Sequence, residues 1–395
     1  MHAALNPYSP GAGLRPPELV GRDAEIEAFD LVVARSRRAL GTRSMILHGL
    51  RGVGKTVLLN QFRMQADAAE WLVVDVEGQT SVSGREGARR RLAREIALAA
   101  RRLARGRSVS AAVQRALGTV TSFGVHFGNI GFDLGFSAVE GRADSGVIEI
   151  DLEELVEDLA PALREQNRAL ALFIDEVQDL DVELLSALLS VQHRAGQRGW
   201  PFVMVGAGLP NVPAKLTAAR SYAERLFDYR EIGSLPSGAA ADALTVPAAR
   251  SGVTFDAAAL DLLIDASGGY PYYLQTYGAA AWDLAAFRRI THDDAAAAVD
   301  RGNAELDSGF FPARWDRATP AERQYLVAMS DDPAGVAGTA VVASRLGAEP
   351  KGTSPARQGL IEKGIIYAPE RGKVAFTVPN MGEFVRRQAD LDIVD

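Results

Sequence analysis

The chain of 395 residues contains no cysteine, which excludes disulfides, thiolate chemistry and cysteine-based zinc sites. Histidine is nearly as scarce. His2, His48, His126, His193 and His292 lie far apart without ligand spacing, so no histidine-based metal site is expected. No apolar run approaches the roughly 18 residues a membrane-crossing helix needs, and residues 1–20 lack the basic and apolar regions of a signal peptide. A cytoplasmic protein without a membrane partner is expected. Lysine is the third scarcity: only Lys55, Lys215, Lys351, Lys363 and Lys373 occur among 43 basic residues. Abundant Arg, Ala and Gly read as compositional bias, so most arginines need no functional explanation and the few lysines stand out. The net charge of −7 argues against a surface that coats nucleic acid broadly, while a local basic patch stays open.

With 47% hydrophobic and 24% charged residues the composition is that of a globular protein, and the length suits two to three domains. Residues 1–14, rich in Pro, Gly and Ala, read as a flexible tail. Apolar strands at 44–50, 71–76, 169–174, 201–206 and near 229–235 alternate with helical patterns, which predicts an α/β parallel sheet covered on both faces. Residues 86–117 read as a long helical region. It carries an arginine stripe at 90, 91, 94, 101, 102 and 105, a solvated face or a contact to an acidic partner. Within 119–136, Phe123, Val125, Phe127, Ile130, Phe132, Leu134 and Phe136 alternate across Gly128-Asn129, which predicts a β-hairpin insert. From 236 to 312 the pattern is purely helical. Residues 313–395 read as three helices, a hairpin and a closing helix, the winged-helix pattern.

The chemistry concentrates in Gly49-Leu50-Arg51-Gly52-Val53-Gly54-Lys55-Thr56, which fits G-x-x-x-x-G-K-[ST] between an apolar strand and a helix. Glycines let the backbone wrap a phosphate, with successive N–H groups and the helix N-terminus facing the anion. Gly49, Gly52, Val53, Gly54 and the following Val57 belong to that cradle. Lys55 is expected on the β- and γ-phosphates and Thr56 on Mg²⁺. A second half follows in Ala171-Leu172-Phe173-Ile174-Asp175-Glu176, a buried strand ending in carboxylates. Asp175 is expected to hold the metal through water, and Glu176 to orient the attacking water, since phosphoryl transfer needs positioning more than covalent help. ATP with Mg²⁺ is the cofactor these residues imply.

With both motifs in place, the chain resembles the additional-strand P-loop ATPases, in particular the initiator-type AAA+ and the STAND-type ATPases, over roughly residues 15–390. Pro17–Glu25 is similar to the box that clasps adenine in these families, which implies nucleotide contacts from Val20, Gly21 and Arg22. The strand running into Ala207-Gly208-Leu209-Pro210-Asn211 holds the sensor 1 position, with Asn211 the nearest polar side chain. Gly268-Gly269-Tyr270-Pro271 resembles the G-x-P motif of STAND proteins, in which Pro271 shapes the nucleotide contact. No arginine lies between Tyr270 and Phe287 to act as sensor 2, which favours STAND over AAA+. An arginine finger acting in a neighbouring copy is implied just before the fifth strand, where Arg220 and Arg225 stand.

The resemblance implies a P-loop core over 15–235, a helical lid over 236–312 and a winged helix over 313–395. Three functional readings follow. One is an ATP-hydrolysing switch coupling nucleotide state to a protein partner or homo-oligomeric assembly. The second is an initiator- or loader-like ATPase binding duplex DNA through Lys351, Arg357, Lys363, Arg371, Lys373, Arg386 and Arg387. The third is a non-hydrolysing ATP-binding scaffold.

Overall fold

The structure, a computed structural model, describes residues 1–11, 13–79, 82–104, 110–128, 137–332 and 335–392. At its centre five parallel strands, β1 (Ser44–His48), β2 (Leu72–Glu77), β3 (Leu170–Asp175), β4 (Phe202–Gly208) and β5 (Phe227–Glu231), lie in the order β2-β3-β4-β1-β5. Successive side chains serve opposite faces: Met45 and Leu47 join one core and Ile46 the other, the period-two alternation of any strand. Helices α1 (Asp23–Ser36) and α2 (Lys55–Ala68) cover the first face, where Phe29 stacks on Phe62 at 4.7 Å between centroids. The second face is covered by α3 (Val82–Ala100), α4 (Ala111–Gly128), α5 (Ile148–Glu165) and α6 (Val182–Arg198). Short helices α7 (Val212–Ala219) and α8 (Ala223–Leu226) lead into β5.

Residues 119–128 correct the hairpin expectation, because they belong to helix α4. Phe123 and Phe127 are one helical turn apart and their rings touch at 5.0 Å. Val113, Ala116, Leu117, Val120 and Phe123 are all buried, a spacing of three and four that only a helix puts on one face. Val125, which strand alternation would bury, is 57% exposed. The remainder of the expected hairpin, 129–136, lies outside the described residues. The long helix expected over 86–117 is likewise two helices, α3 and α4, with a short 3-10 turn at Arg101–Ala104 after α3.

Next come α9 (Ser237–Ala249), α10 (Ala257–Ser267), α11 (Pro271–Leu284) and α12 (His292–Glu305). This unit is not purely helical: β6 (Thr254–Phe255) and β7 (Arg289–Ile290) pair in parallel and tie the start of α10 to the start of α12. A π-turn at Leu306–Phe310 then precedes α13 (Pro312–Trp315). The C-terminal unit holds α14 (Pro320–Ser330), β8 (Val336–Gly338), α15 (Thr339–Arg345), α16 (Pro350–Glu362), β9 (Ile366–Tyr367), β10 (Lys373–Phe376) and α17 (Met381–Asp392). Its strands form an antiparallel sheet in the order β8-β10-β9, an arrangement consistent with a winged helix plus a short strand β8 that the sequence pattern did not reveal.

The expected flexible tail is docked. Tyr8 is 5% exposed, with its hydroxyl donating to the Leu244 carbonyl. Asn6 donates to the Ala279 carbonyl at 3.0 Å and to Asp283 at 2.9 Å on α11. Composition alone suggested disorder, but one large aromatic ring seated against α9 and α11 anchors the segment. A single apolar cluster runs from Phe29 on α1 against the sheet through Tyr8, Leu244 and Tyr273 to Phe311 and Phe384. The sheet, the helical unit and the C-terminal unit therefore share one core.

Candidate functional site

Because β4 separates β1 from β3, the loop after β1 and the end of β3 face each other across the carboxyl end of the sheet, where open α/β sheets form their crevices. The loop enters α2 through Gly52 at φ +85° and Gly54 at φ +94°. A side chain on Gly52 would begin 2.8 Å from the Tyr270 hydroxyl, so glycine is required there both for backbone and for space.

These elements enclose a cleft of about 430 Å³. Arg51, Gly52, Val53, Gly54, Lys55, Thr56 and Val57 line one wall with Asp175 and Glu176. Thr56 donates its hydroxyl to Asp175 Oδ2 at 2.8 Å, which brings the two expected metal-site groups together. Lys55 is 8% exposed and its ammonium donates to the carbonyls of Gly49 (3.0 Å) and Leu50 (2.7 Å). Burial pushes the Lys55 amine down to about 8, against the pull of Glu176 and Asp175. Burial also raises the Asp175 carboxyl above the usual aspartate range. Glu176 sits at φ +49° and pairs with Arg51 at 2.9 Å. Its neighbour Asp179 is pushed up to about 6, chiefly by burial and then by the Glu176 charge.

The facing wall is contributed by Glu18, Val20 and Arg22, by Leu235 and Ala243, and by Pro271, Tyr272 and Leu274. Arg22 is buried and its guanidinium donates to the carbonyls of Val53 and Gly233, so it joins the phosphate loop to the segment after β5. Gly21 and Gly49 lie behind the walls rather than on them: a side chain on Gly21 would strike Ala239, and one on Gly49 the Ile232 carbonyl. Ser9, Gly11, Gly13 and Leu14 extend this wall, a contribution that only the docking of Tyr8 makes visible.

The other expected site residues fall outside this cleft. Asn211 lines an adjoining larger cleft of about 1030 Å³ between the sheet and the C-terminal unit, with its Oδ1 buried and lacking a hydrogen-bond partner. Arg220 is tied to Glu149 at 2.7 Å and Ser186 at 2.7 Å. Arg225 is exposed on α8 and lines neither cleft.

An arginine that the sequence did not single out does reach the site. Arg314 lines both clefts. Its guanidinium donates to the Phe310 carbonyl at 2.6 Å and lies over the Phe310 ring at 4.2 Å. Burial and the charges of Arg51 and Arg317 hold it below the usual arginine range. The signal that places it is the π-turn at Leu306–Phe310, a local distortion common at functional sites and invisible in residue spacing.

Among the described residues no group of three or more acidic or histidine side chains could hold a metal ion. Thr56 and Asp175 nevertheless suit Mg²⁺, which keeps several waters and takes one or two protein ligands together with substrate phosphates. No helix among the described residues is long and apolar enough to cross a membrane.

In sequence, residues 18–205 match the AAA ATPase domain family, and residues 308–385 match a domain of unknown function. No curated protein matches the chain. Similar solved structures include the Aeropyrum pernix Orc1 protein in complex with DNA, at 16% identity and TM-score 0.48, covering 96% of each chain. The Thermotoga maritima RuvB Holliday junction branch migration motor matches at 18% identity and TM-score 0.45, over 92% of this chain and 95% of that one. Cdc6p from Pyrobaculum aerophilum matches at 15% identity and TM-score 0.46, over 99% of each.

Proposed function

From the premise that residues 18–205 carry an AAA ATPase domain, we propose that the chain binds and hydrolyses ATP and uses the nucleotide state as a switch. The observation that carries this reading is the convergence of Lys55, Thr56, Asp175 and Glu176 on one cleft, with Thr56 and Asp175 in direct hydrogen-bond contact. The backbone of residues 52–56 cradles the phosphates and Lys55 turns from its own loop carbonyls to the anion. Thr56 and Asp175 would hold Mg²⁺, which when bound would neutralise charge on the phosphates. Glu176 orients and polarises the attacking water. Val20, Leu235, Ala243 and Leu274 offer the apolar wall for a base, and Pro271 opens α11 beside it. Residues 236–312 act as a lid and 313–395 as a winged helix, so closure around the nucleotide moves the C-terminal unit.

Arg225, exposed on α8, can serve only a neighbouring copy, so a finger role requires a homo-oligomer. The DNA reading is the weaker one. Lys363 is committed to Glu322, Lys373 to Glu370, Arg387 to Asp307, and Arg386 to the Ser330 carbonyl. Lys351 and Arg371 are the exposed basic residues left on the unit's outer side.

Steady-state ATP hydrolysis with and without duplex DNA tests both readings. Glu176→Gln is expected to lower turnover by about 100-fold or more while leaving ATP bound, the usual range for losing an acid–base group. Undetectable turnover in the wild type, unchanged by Glu176→Gln, sinks hydrolysis and leaves the scaffold reading. Duplex DNA that neither binds at low salt nor raises turnover removes the loader reading.

A further inference from the structure

Both carboxylate oxygens of Glu176 are already taken. Arg51 Nη1 lies 2.9 Å from Oε1, and Gln178 donates to Oε2 at 2.5 Å. One donor on each oxygen occupies two of the carboxylate's roughly four acceptor positions and fixes its orientation away from a free swing toward water. Gln178 is itself fixed, since its Oε1 accepts the Leu209 backbone N–H at 3.0 Å, just past the end of β4.

Arg51 belongs to the phosphate loop, yet the C-terminal unit holds it. Its backbone N–H donates to the Thr377 carbonyl at 3.0 Å, so an N–H of the loop is spent on the C-terminal unit. Its Nη2 lies 3.0 Å from where a side chain on Gly364 would begin, and Gly364 stands at φ +63°. Thr377 is fully buried and its hydroxyl donates to the carbonyls of Gly364 (2.8 Å) and Ile365 (3.1 Å). Beside it, the Tyr273 hydroxyl on α11 donates to the Pro379 carbonyl at 2.8 Å. The residue whose side chain neutralises Glu176 is therefore bonded through its backbone, and packed through its guanidinium beside Gly364, to the same short stretch that docks the C-terminal unit on the sheet and on α11.

The local charge count leaves this arrangement open to exchange. Arg51 and Arg314 repel each other across the junction of the two clefts. Arg314, half-buried, makes no ion pair among the described residues; its guanidinium meets only the Phe310 carbonyl and ring. The cleft is lined by four cationic side chains, Arg22, Arg51, Lys55 and Arg314, against three carboxylates, Glu18, Asp175 and Glu176, so the lining is short of one anion. The terminal phosphate of a nucleotide seated on residues 52–56 would supply it.

We propose that Arg51 is a positioning residue that couples the docking of the C-terminal unit to Glu176. Without a terminal phosphate its side chain neutralises Glu176 while its backbone N–H stays on the Thr377 carbonyl and its guanidinium packs beside Gly364. When that phosphate arrives, Arg51 turns to it, Glu176 is released to orient water, and the grip of the C-terminal unit loosens. The handover rests on the ATPase reading above, whereas the docking half does not. It also needs no arginine on α11.

Two measurements on the full chain test it. As the chain lacks cysteine, single cysteines introduced at exposed Arg37 and Arg371 accept a fluorophore pair spanning the seam. In the absence of nucleotide, Arg51→Ala is expected to broaden the energy-transfer distribution, while Arg51→Lys, which keeps the charge, stays close to the wild type. Superimposable wild-type and Arg51→Ala distributions overturn the docking half. In titrations with ADP and with a non-hydrolysable ATP analogue, the wild type is expected to prefer the analogue about tenfold, the worth of one charge-assisted contact. Arg51→Ala should abolish that preference while ADP binding stays, and Arg51→Lys should keep part of it. An undiminished preference in Arg51→Ala overturns the handover. A wild type that binds neither nucleotide overturns the ATPase reading and the handover together, and the nucleotide-free comparison then decides the docking half alone.

Discussion

One wall of the nucleotide cleft, residues 51–57 with Asp175 and Glu176, comes from a single loop and the end of a nearby strand. The facing wall is gathered from described residues between Ser9 and Arg22, between Leu235 and Gln275, and from Phe310 and Arg314. The first wall works through backbone geometry and a few charges at fixed spacing. The second works through apolar side chains and two arginines, Arg22 and Arg314, brought together by the shared core. A site of this kind is therefore half motif and half assembly, and the halves should fail in different ways.

The largest expected effect lies on the motif wall. Lys55→Ala should weaken nucleotide binding by about 100-fold, the upper range for a charged hydrogen-bonding group, with the thermal midpoint unchanged or raised because a buried cation is gone. Retained ATP affinity in a titration would break the comparison at its base. On the assembled wall the main cost should appear in stability. Tyr8→Ala is expected to destabilise the fold by about 3 kcal/mol, in line with other buried aromatic truncations, and to speed nucleotide release as Ser9, Gly11, Gly13 and Leu14 leave the cleft. Denaturation midpoints and stopped-flow release of a fluorescent nucleotide check both.

Arg314→Ala should be milder and selective, with ATP weakened about tenfold, as for a charge-assisted contact, and ADP scarcely at all. Equal losses for both nucleotides would mean that the arginine only shapes the wall.

The smallest effect is a pH dependence. The Lys55 amine titrates near 8 in the folded chain against 10.5 when exposed. Between those values the unfolded chain holds the extra proton, so the Lys55 contribution to stability rises with pH. Nucleotide affinity should move the other way, falling by a few-fold above about pH 8 as the amine loses the charge that attracts phosphate. Isothermal titration in buffers of different ionisation enthalpy should show proton uptake on binding, and affinity independent of pH would contradict the burial of Lys55.

This division also explains what the sequence revealed. The strands along the chain, the phosphate loop and the β3 carboxylates depend on local spacing and on continuous apolar runs, and Lys55, Thr56, Asp175 and Glu176 were legible for that reason. Arg314 was not, because its approach to the phosphate loop depends on a π-turn and on packing around Phe310. Tyr8 was hidden by the Pro and Gly around it. Residues 119–128 misled differently: Phe123, Val125 and Phe127 satisfy period two, yet only the helical set of 113, 116, 117, 120 and 123 is buried throughout. A short apolar run fits both periods, and burial by α5 decided between them.

The docking of Tyr8 on α9 and α11 has a consequence for the order in which the chain becomes functional. Tyr8 meets Leu244, 236 positions away, and Arg51 meets Thr377 at the other extreme of the chain. Contacts of such sequence separation form late, because loop closure precedes their reward. During synthesis the phosphate loop is complete long before either end of its enclosure exists. A nascent chain would hold a bare anion cradle without the wall that shelters a base, and the mature cleft would be the last part of the molecule to close.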